Sequence, residues 1–173
     1  LASALGTLLY PRIASFKEDV SGAIALFTTA IKVNILITGT ATIAMVAIAD
    51  PAIRLLYGDE YEPVIVPFMI LTIGVAFDSM TAMTISLFQA RGRPIIPTLL
   101  ATIVIVPQIA ALAIFIPHGD VVLAAWISTG AFLLGAVIRV FSVKRSFSIG
   151  LGKMLIPGKA DFVLIVSSLS RII

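Results

Sequence analysis

The chain has 173 residues, of which 60% are hydrophobic and 12% charged, and its mean hydropathy is +1.14. Soluble domains carry roughly 25% charged residues, so this composition excludes an ordinary water-facing surface. The net charge of +3 comes from basic residues scattered through short loops, which argues against a nucleic-acid-binding face, and the absence of cysteine excludes disulfides, thiolate metal sites and cysteine nucleophiles.

Residues 1–10 read as the end of a span, broken at Pro11. A polar link, 12–21, leads through an interfacial turn containing Phe16 and Phe27 into the first complete apolar run, 28–49. Asp50-Pro51 marks its far edge, with helix continuing through Leu55-Leu56 until Gly58 stops it. Asp59-Glu60-Tyr61-Glu62-Pro63 is a short acidic loop before the second run, 64–88. At Arg91-Gly92-Arg93-Pro94, Gly92 suits a helix C-terminus and Pro94 the first turn of the next helix. The third run, 95–116, turns at Pro117-His118-Gly119-Asp120 into the fourth, 121–143. Gly150, Gly152 and Pro157-Gly158 argue against continuous helix over 146–159, which is expected to lie along a surface. Residues 161–173 open a further, incomplete span. With no initiator Met, no signal-peptide layout and an apolar run at either end, the sequence reads as a fragment.

Each complete run is close to the roughly 20 apolar residues that cross a lipid core about 30 Å thick. The runs are apolar nearly all round, where a soluble helix shows a single stripe. Spanning backbone must satisfy its own hydrogen bonds, so the expected fold is all-α: a polytopic membrane helix bundle. Loop charge predicts its orientation. Arg12 and Lys17 fall in one loop, Arg54 alone in the next and Arg91 with Arg93 in the third; the fourth has no Lys or Arg, and Lys144, Arg145, Lys153 and Lys159 follow the last run. The positive-inside rule then puts the Arg12, Gly92 and Lys144 loops in the cytoplasm and the Gly58 and Gly119 loops outside a plasma membrane. Lys32 lies close enough to the cytoplasmic edge to snorkel.

Several of these punctuation marks recur together in a known series. They are Tyr10-Pro11-Arg12-Ile13; then Ala49-Asp50-Pro51-Ala52-Ile53-Arg54-Leu55-Leu56-Tyr57-Gly58-Asp59-Glu60-Tyr61; then Gln89-Ala90-Arg91-Gly92-Arg93-Pro94; and the Ile116-Pro117 turn. From about Leu8 to Arg145 the chain resembles the C-terminal half of polysaccharide-biosynthesis membrane proteins, the lipid-linked oligosaccharide flippases of the multidrug/oligosaccharidyl-lipid/polysaccharide superfamily. The stretch from Leu55 to Tyr61 is the most specific part. The resemblance implies the C-terminal six-helix half of a MATE-like fold, in which two halves surround a cavity that alternates between the membrane faces. It further implies that the N-terminal half, with its share of the cavity, is missing here. It also places the Pro-Arg loop in the cytoplasm, in agreement with the charge pattern.

Polar residues inside the runs are the candidate site. Asp78 lies near the middle of the second run, where a carboxylate costs about 2.5–3.5 kcal/mol on insertion scales. It must face a cavity or a partner, with Gly74 and Thr81 on its face at i−4 and i+3. It reads either as a site for a proton or sodium ion, or a substrate contact, or as a structural carboxyl held by neighbouring hydroxyls. On the functional reading, Asp78→Asn is expected to keep normal membrane levels and to lose gradient-driven transport. Asn34, Thr38 and Thr42 form a polar stripe that either lines the cavity or makes helix–helix hydrogen bonds. Pro107-Gln108 interrupts the third run with a kink, either beside the cavity or as a tolerated irregularity. Ala131 and Gly135 form a small-xxx-small pair suited to close packing. Trp126, Tyr57 and Tyr61 read as interfacial anchors, and Arg91 and Arg93 as orientation anchors or as contacts for the phosphates of a lipid-linked sugar.

No catalytic constellation is present in the sequence. His118 has no second metal ligand at suitable spacing, and Asp59, Glu60 and Glu62 lack the spacing of a calcium loop. There is no phosphate-binding glycine loop, and neither cofactor nor enzymatic activity is expected. The expected function is secondary transport of a lipid-linked glycan across the cytoplasmic membrane by alternating access. The expected partners are that glycan, the membrane lipids, the missing half, a proton or sodium ion, and no nucleic acid. The alternatives are a cation-coupled multidrug exporter of the same fold, an integral-membrane enzyme, or an assembly subunit.

Overall fold

A computed structural model describes Pro11, Ile13 and residues 20–118 and 120–147. The expected span end at 1–10, most of the 12–21 link, most of the 146–159 segment and the incomplete span at 161–173 lie outside the described residues. Among the described residues the chain is all-helical, and four helical segments are long and apolar enough to cross a membrane. From Val20 on, the described residues form five α-helices in chain order: α1 Val20–Tyr57, α2 Glu62–Asp78, α3 Thr81–Ala90, α4 Ile95–Phe115 and α5 Val121–Phe147. Short 3-10 turns at Asp59–Tyr61 and Ile116–His118 lead into α2 and α5.

The boundaries differ from the apolar runs for physical reasons. α1 has 38 residues, about 57 Å at 1.5 Å per residue, so both of its ends outreach a core about 30 Å thick. It passes through Pro51 and stops only at Gly58, whose φ of 88° favours glycine. Phe27, expected in an interfacial turn, lies inside α1 and is fully buried. Pro11 and Ile13 are helical, and whether the chain breaks before Pro11 lies outside the described residues. Pro107, expected to kink its span, lies exposed inside α4, whose helix continues on both sides of it. α5 runs four residues past Val143, carrying Lys144 and Arg145 in its last turn.

The two glycine and aspartate turns behave as their chemistry dictates. Gly92 takes a φ of 68°, and its N–H donates to the Gln89 carbonyl at 3.0 Å while Arg93 N–H reaches Phe88 O at 2.9 Å. This is the paired-bond glycine cap that satisfies the last carbonyls of α3. At the start of α5 the Asp120 carboxylate accepts the Leu123 N–H at 2.9 Å, capping an otherwise unpaired donor.

The second run is one candidate span, as expected, but its helix is interrupted by a two-residue turn that divides it into α2 and α3. Between α2 and α3, Ser79 and Met80 form a turn, although both keep right-handed helical dihedrals. Neither proline nor glycine is involved. Ser79 Oγ donates to the Ala76 carbonyl and Thr81 Oγ1 to the Asp78 carboxylate, both at 2.7 Å. The Ser79 hydroxyl, bonded to a backbone carbonyl three residues back, competes with the helical ladder there, while the Thr81 bond joins side chains across the turn.

Packing is most extensive between α2 and α5, with α1 against α2 and α4 against α5 on the flanks. One core cluster joins Ile13, Ala23, Phe27 and Ile31 to Met83, Leu87 and Phe88 of α3 and Val143 of α5. At the α2–α5 crossing Gly74 lets the helices meet: a Cβ there would lie 2.7 Å from Thr129 Oγ1 and 3.0 Å from Thr129 Cα. The Thr129 hydroxyl then donates across to the Ile70 carbonyl at 2.9 Å. Only 11–22% of each apolar window is buried within the bundle. Large apolar side chains such as Ile43, Leu99, Ile109 and Phe141 face outward, over more surface than water-exposed proteins tolerate.

Candidate functional site

Asp78 closes α2, about 24 Å along the helix from Glu62. Arg139 lies at a matching distance along the neighbouring helix, about 27 Å from Val121 in α5. Since α2 and α5 pack together and start at the same end, the two charges arrive at the same depth. Arg139 Nη1 approaches Asp78 Oδ1 at 3.2 Å, and the Thr81 hydroxyl donates to the same oxygen at 2.7 Å. The partner that a mid-span carboxylate requires is therefore a buried arginine of the fourth apolar run.

The two side chains are unequally covered. That of Arg139 is 10% exposed and that of Asp78 41%. Gly135 creates the space for the guanidinium, since a Cβ there would lie 3.0 Å from Arg139 Nη1 and 3.4 Å from Val104 of α4. The small residue expected to serve close helix packing thus also seats a charge. The pair is net neutral and hydrogen-bonded, which offsets part of the cost of holding either ion away from water.

One residue beyond Asp78, the helix break meets α1. Asn34 is completely buried, and its side-chain amide donates to Ser79 Oγ at 2.7 Å. Thr38, one turn on, donates to the Asn34 carbonyl and approaches Asn34 Oδ1 at 3.3 Å. Of the expected stripe, then, Asn34 holds α1 to the break, Thr38 supports Asn34, and Thr42 is half-buried. Gln108 is half-buried on α4.

The remaining candidates lie at the two ends of the bundle. Phe88 packs beside Phe147 with ring centroids 5.5 Å apart, so the Gly92 turn and the end of α5 share one end. Arg91 is half-buried and Arg93 exposed there. At the other end, Tyr57 and Tyr61 are exposed with ring centroids 5.4 Å apart, and Trp126 is also exposed. An open cavity of about 810 Å³ at that end is lined by Asp50, Arg54, Asp59, Glu60 and Glu62, with Val122 of α5. Arg54 sits at its centre, 2.9 Å from Asp50, 3.0 Å from Asp59 and 3.3 Å from Glu62. It lies beyond the apolar run, and its hydrogen bonds to Asp50, Asp59 and Glu62 push the guanidinium further towards its charged form. This network ties the end of α1 to the start of α2.

Arg139 is the residue that sequence reasoning missed. The positive-inside rule reads basic residues as loop markers, whereas Arg139 stands inside an apolar run. The signal was present: a second ionisable residue in a span, at the depth of the first, is the expected counter-charge. Among the described residues no group of three His, Cys, Asp or Glu is placed to hold a metal ion. Comparison with protein-family models, curated proteins and solved structures finds no match to the chain.

Proposed function

We propose that this chain is half of a secondary transporter that moves a lipid-linked oligosaccharide across the plasma membrane by alternating access. The observation that carries the reading is the Asp78–Arg139 pair beside the break between α2 and α3. Ionisable groups inside membrane spans mark substrate and ion pathways, and discontinuous helices near the midplane are where transporters build their sites. The sequence resemblance from about Leu8 to Arg145 supplies the cargo and the MATE-like architecture. In that architecture the chain is the C-terminal six-helix half, and the partially open side of Asp78 faces the cavity shared with the other half. A cation-coupled multidrug exporter is the second reading. It is favoured by the 41% exposure of the Asp78 side chain, which leaves it partly uncovered for a cationic cargo.

The orientation follows from the basic residues at Arg91, Arg93, Lys144 and Arg145, which are cytoplasmic, and places the acidic Gly58 loop outside. With no native cysteine, single substitutions report sidedness without background. Asp59→Cys is labelled by an impermeant thiol reagent in intact cells, and Gly92→Cys is not. Labelling at Gly92→Cys alone reverses the orientation.

Half a cavity does not transport. Expressed alone, residues 1–173 insert into the membrane but leave a flippase-deficient strain without surface polysaccharide. Joined to the N-terminal half, they restore it. Restoration by residues 1–173 alone overturns the half-transporter reading. A joined protein that reaches the membrane and exports cationic drugs but no glycan decides for the exporter.

A further inference from the structure

We infer that Arg139 is a displaceable internal counter-ion, a tethered guanidinium that occupies Asp78 until a monovalent metal cation takes its place. The inference deepens the transporter reading and rests on it for the use of the exchange, while its chemistry is local to this chain. Arg139 Nη1 and Thr81 Oγ1 both donate to the same carboxylate oxygen, Oδ1. The side chain is nevertheless 41% exposed, so the described helices leave Asp78 partly uncovered. The single charge-assisted contact, at 3.2 Å, is longer than the 2.7–2.9 Å of a strong bidentate pair. Arg139 thus holds Asp78 by one donor rather than by its fork.

The ligands available to an incoming ion are oxygens: the carboxylate of Asp78 and the hydroxyl of Thr81. Oxygen donors suit a hard cation, and one carboxylate balances one positive charge. Guanidinium and cation cannot both neutralise the same carboxylate, so binding of one weakens the other. The elements packed around Asp78 contribute Asn34 of α1, whose amide is engaged by Ser79, then Thr81 of α3 and Arg139 of α5. Gly135 sets the reach of the guanidinium, because added bulk there presses on Nη1 from 3.0 Å. A freed Arg139 carries a full positive charge among the packed helices, which gives the cation-loaded and cation-free states different electrostatics.

The test measures equilibrium binding of radioactive sodium to the purified full chain in lipid nanodiscs at constant pH, with folding checked by circular dichroism. Wild type binds weakly. Arg139→Gln binds at least tenfold more tightly, and adding Asp78→Asn abolishes the binding. Arg139→Lys, which restores a tethered cation, returns the affinity to within about threefold of wild type. Gly135→Ala keeps both charges and crowds the guanidinium, so it tightens sodium binding several-fold even if Arg139→Gln fails to fold. Unchanged affinity in the folded Gly135→Ala or Arg139→Gln chain, or no sodium binding by any variant, overturns the inference. Because no transport is measured, these outcomes are distinct from failure of glycan transport in cells.

Discussion

Asp78→Asn destabilises the bundle by about 3–5 kcal/mol, because it leaves the buried Arg139 guanidinium without its counter-charge. Arg139→Gln costs less than Asp78→Asn, since Asp78 is more exposed and keeps the Thr81 hydroxyl. The double variant Asp78→Asn/Arg139→Gln carries no charge at mid-span and recovers to within about 1 kcal/mol of wild type. Unfolding of the three variants in mixed detergent micelles, read as a double-mutant cycle, gives the coupling directly. Additive effects of the two single substitutions would show that the charges do not support each other. The sequence alone led to normal membrane levels for Asp78→Asn. The arginine partner changes that expectation, because the substitution creates an orphan charge as well as removing one.

Gly74→Ala is expected to cost about 1–3 kcal/mol, and Gly74→Leu substantially more. The new Cβ would stand 3.0 Å from the Thr129 Cα, and a backbone atom cannot turn aside as a side-chain end can. α2 and α5 must separate, and the Thr129 hydroxyl loses its 2.9 Å bond to the Ile70 carbonyl. Gly130 is the control on the same α5 helix. A Cβ there meets nothing within 4 Å, so Gly130→Ala is neutral or slightly stabilising. Detergent unfolding separates the two substitutions. Equal stability of Gly74→Ala and Gly130→Ala would mean that the helices do not cross at Gly74. The effect also reaches the candidate site, since Asp78 lies one helical turn beyond Gly74 on the same face.

The helices were legible where a residue has one strong meaning. Gly58 and Gly92 end helices because their positive φ suits glycine, and Asp120 begins one because its carboxylate caps a free N–H. The length of α1 was less legible, because Pro51 reads as an edge but sits inside the helix near its exposed end. The break at Ser79–Met80 was hidden for another reason. It comes from hydroxyl bonds of Ser79 and Thr81 to near neighbours, and Ser and Thr in apolar runs usually bond their own helix without breaking it. The requirement for a partner at Asp78 was readable from the cost of a charge in lipid. Its identity was not read, although Arg139 stands at the matching depth, because topology reasoning assigns arginines to loops. Asn34 was readable as a helix–helix contact, whereas its target, Ser79, depends on the crossing of α1 over the break.

We propose the Asp78–Arg139 pair as the working element of a lipid-linked oligosaccharide transporter. Its most direct test is translocation of a fluorescent lipid-linked oligosaccharide in vesicles containing the chain joined to its N-terminal half. The comparison is between wild type and Asp78→Asn/Arg139→Gln, which removes both charges while keeping the bundle folded. Wild type should move the lipid between leaflets, and the folded double variant should lose at least nine-tenths of that rate. Translocation by the double variant at the wild-type rate, or none by a folded wild-type protein, contradicts the account.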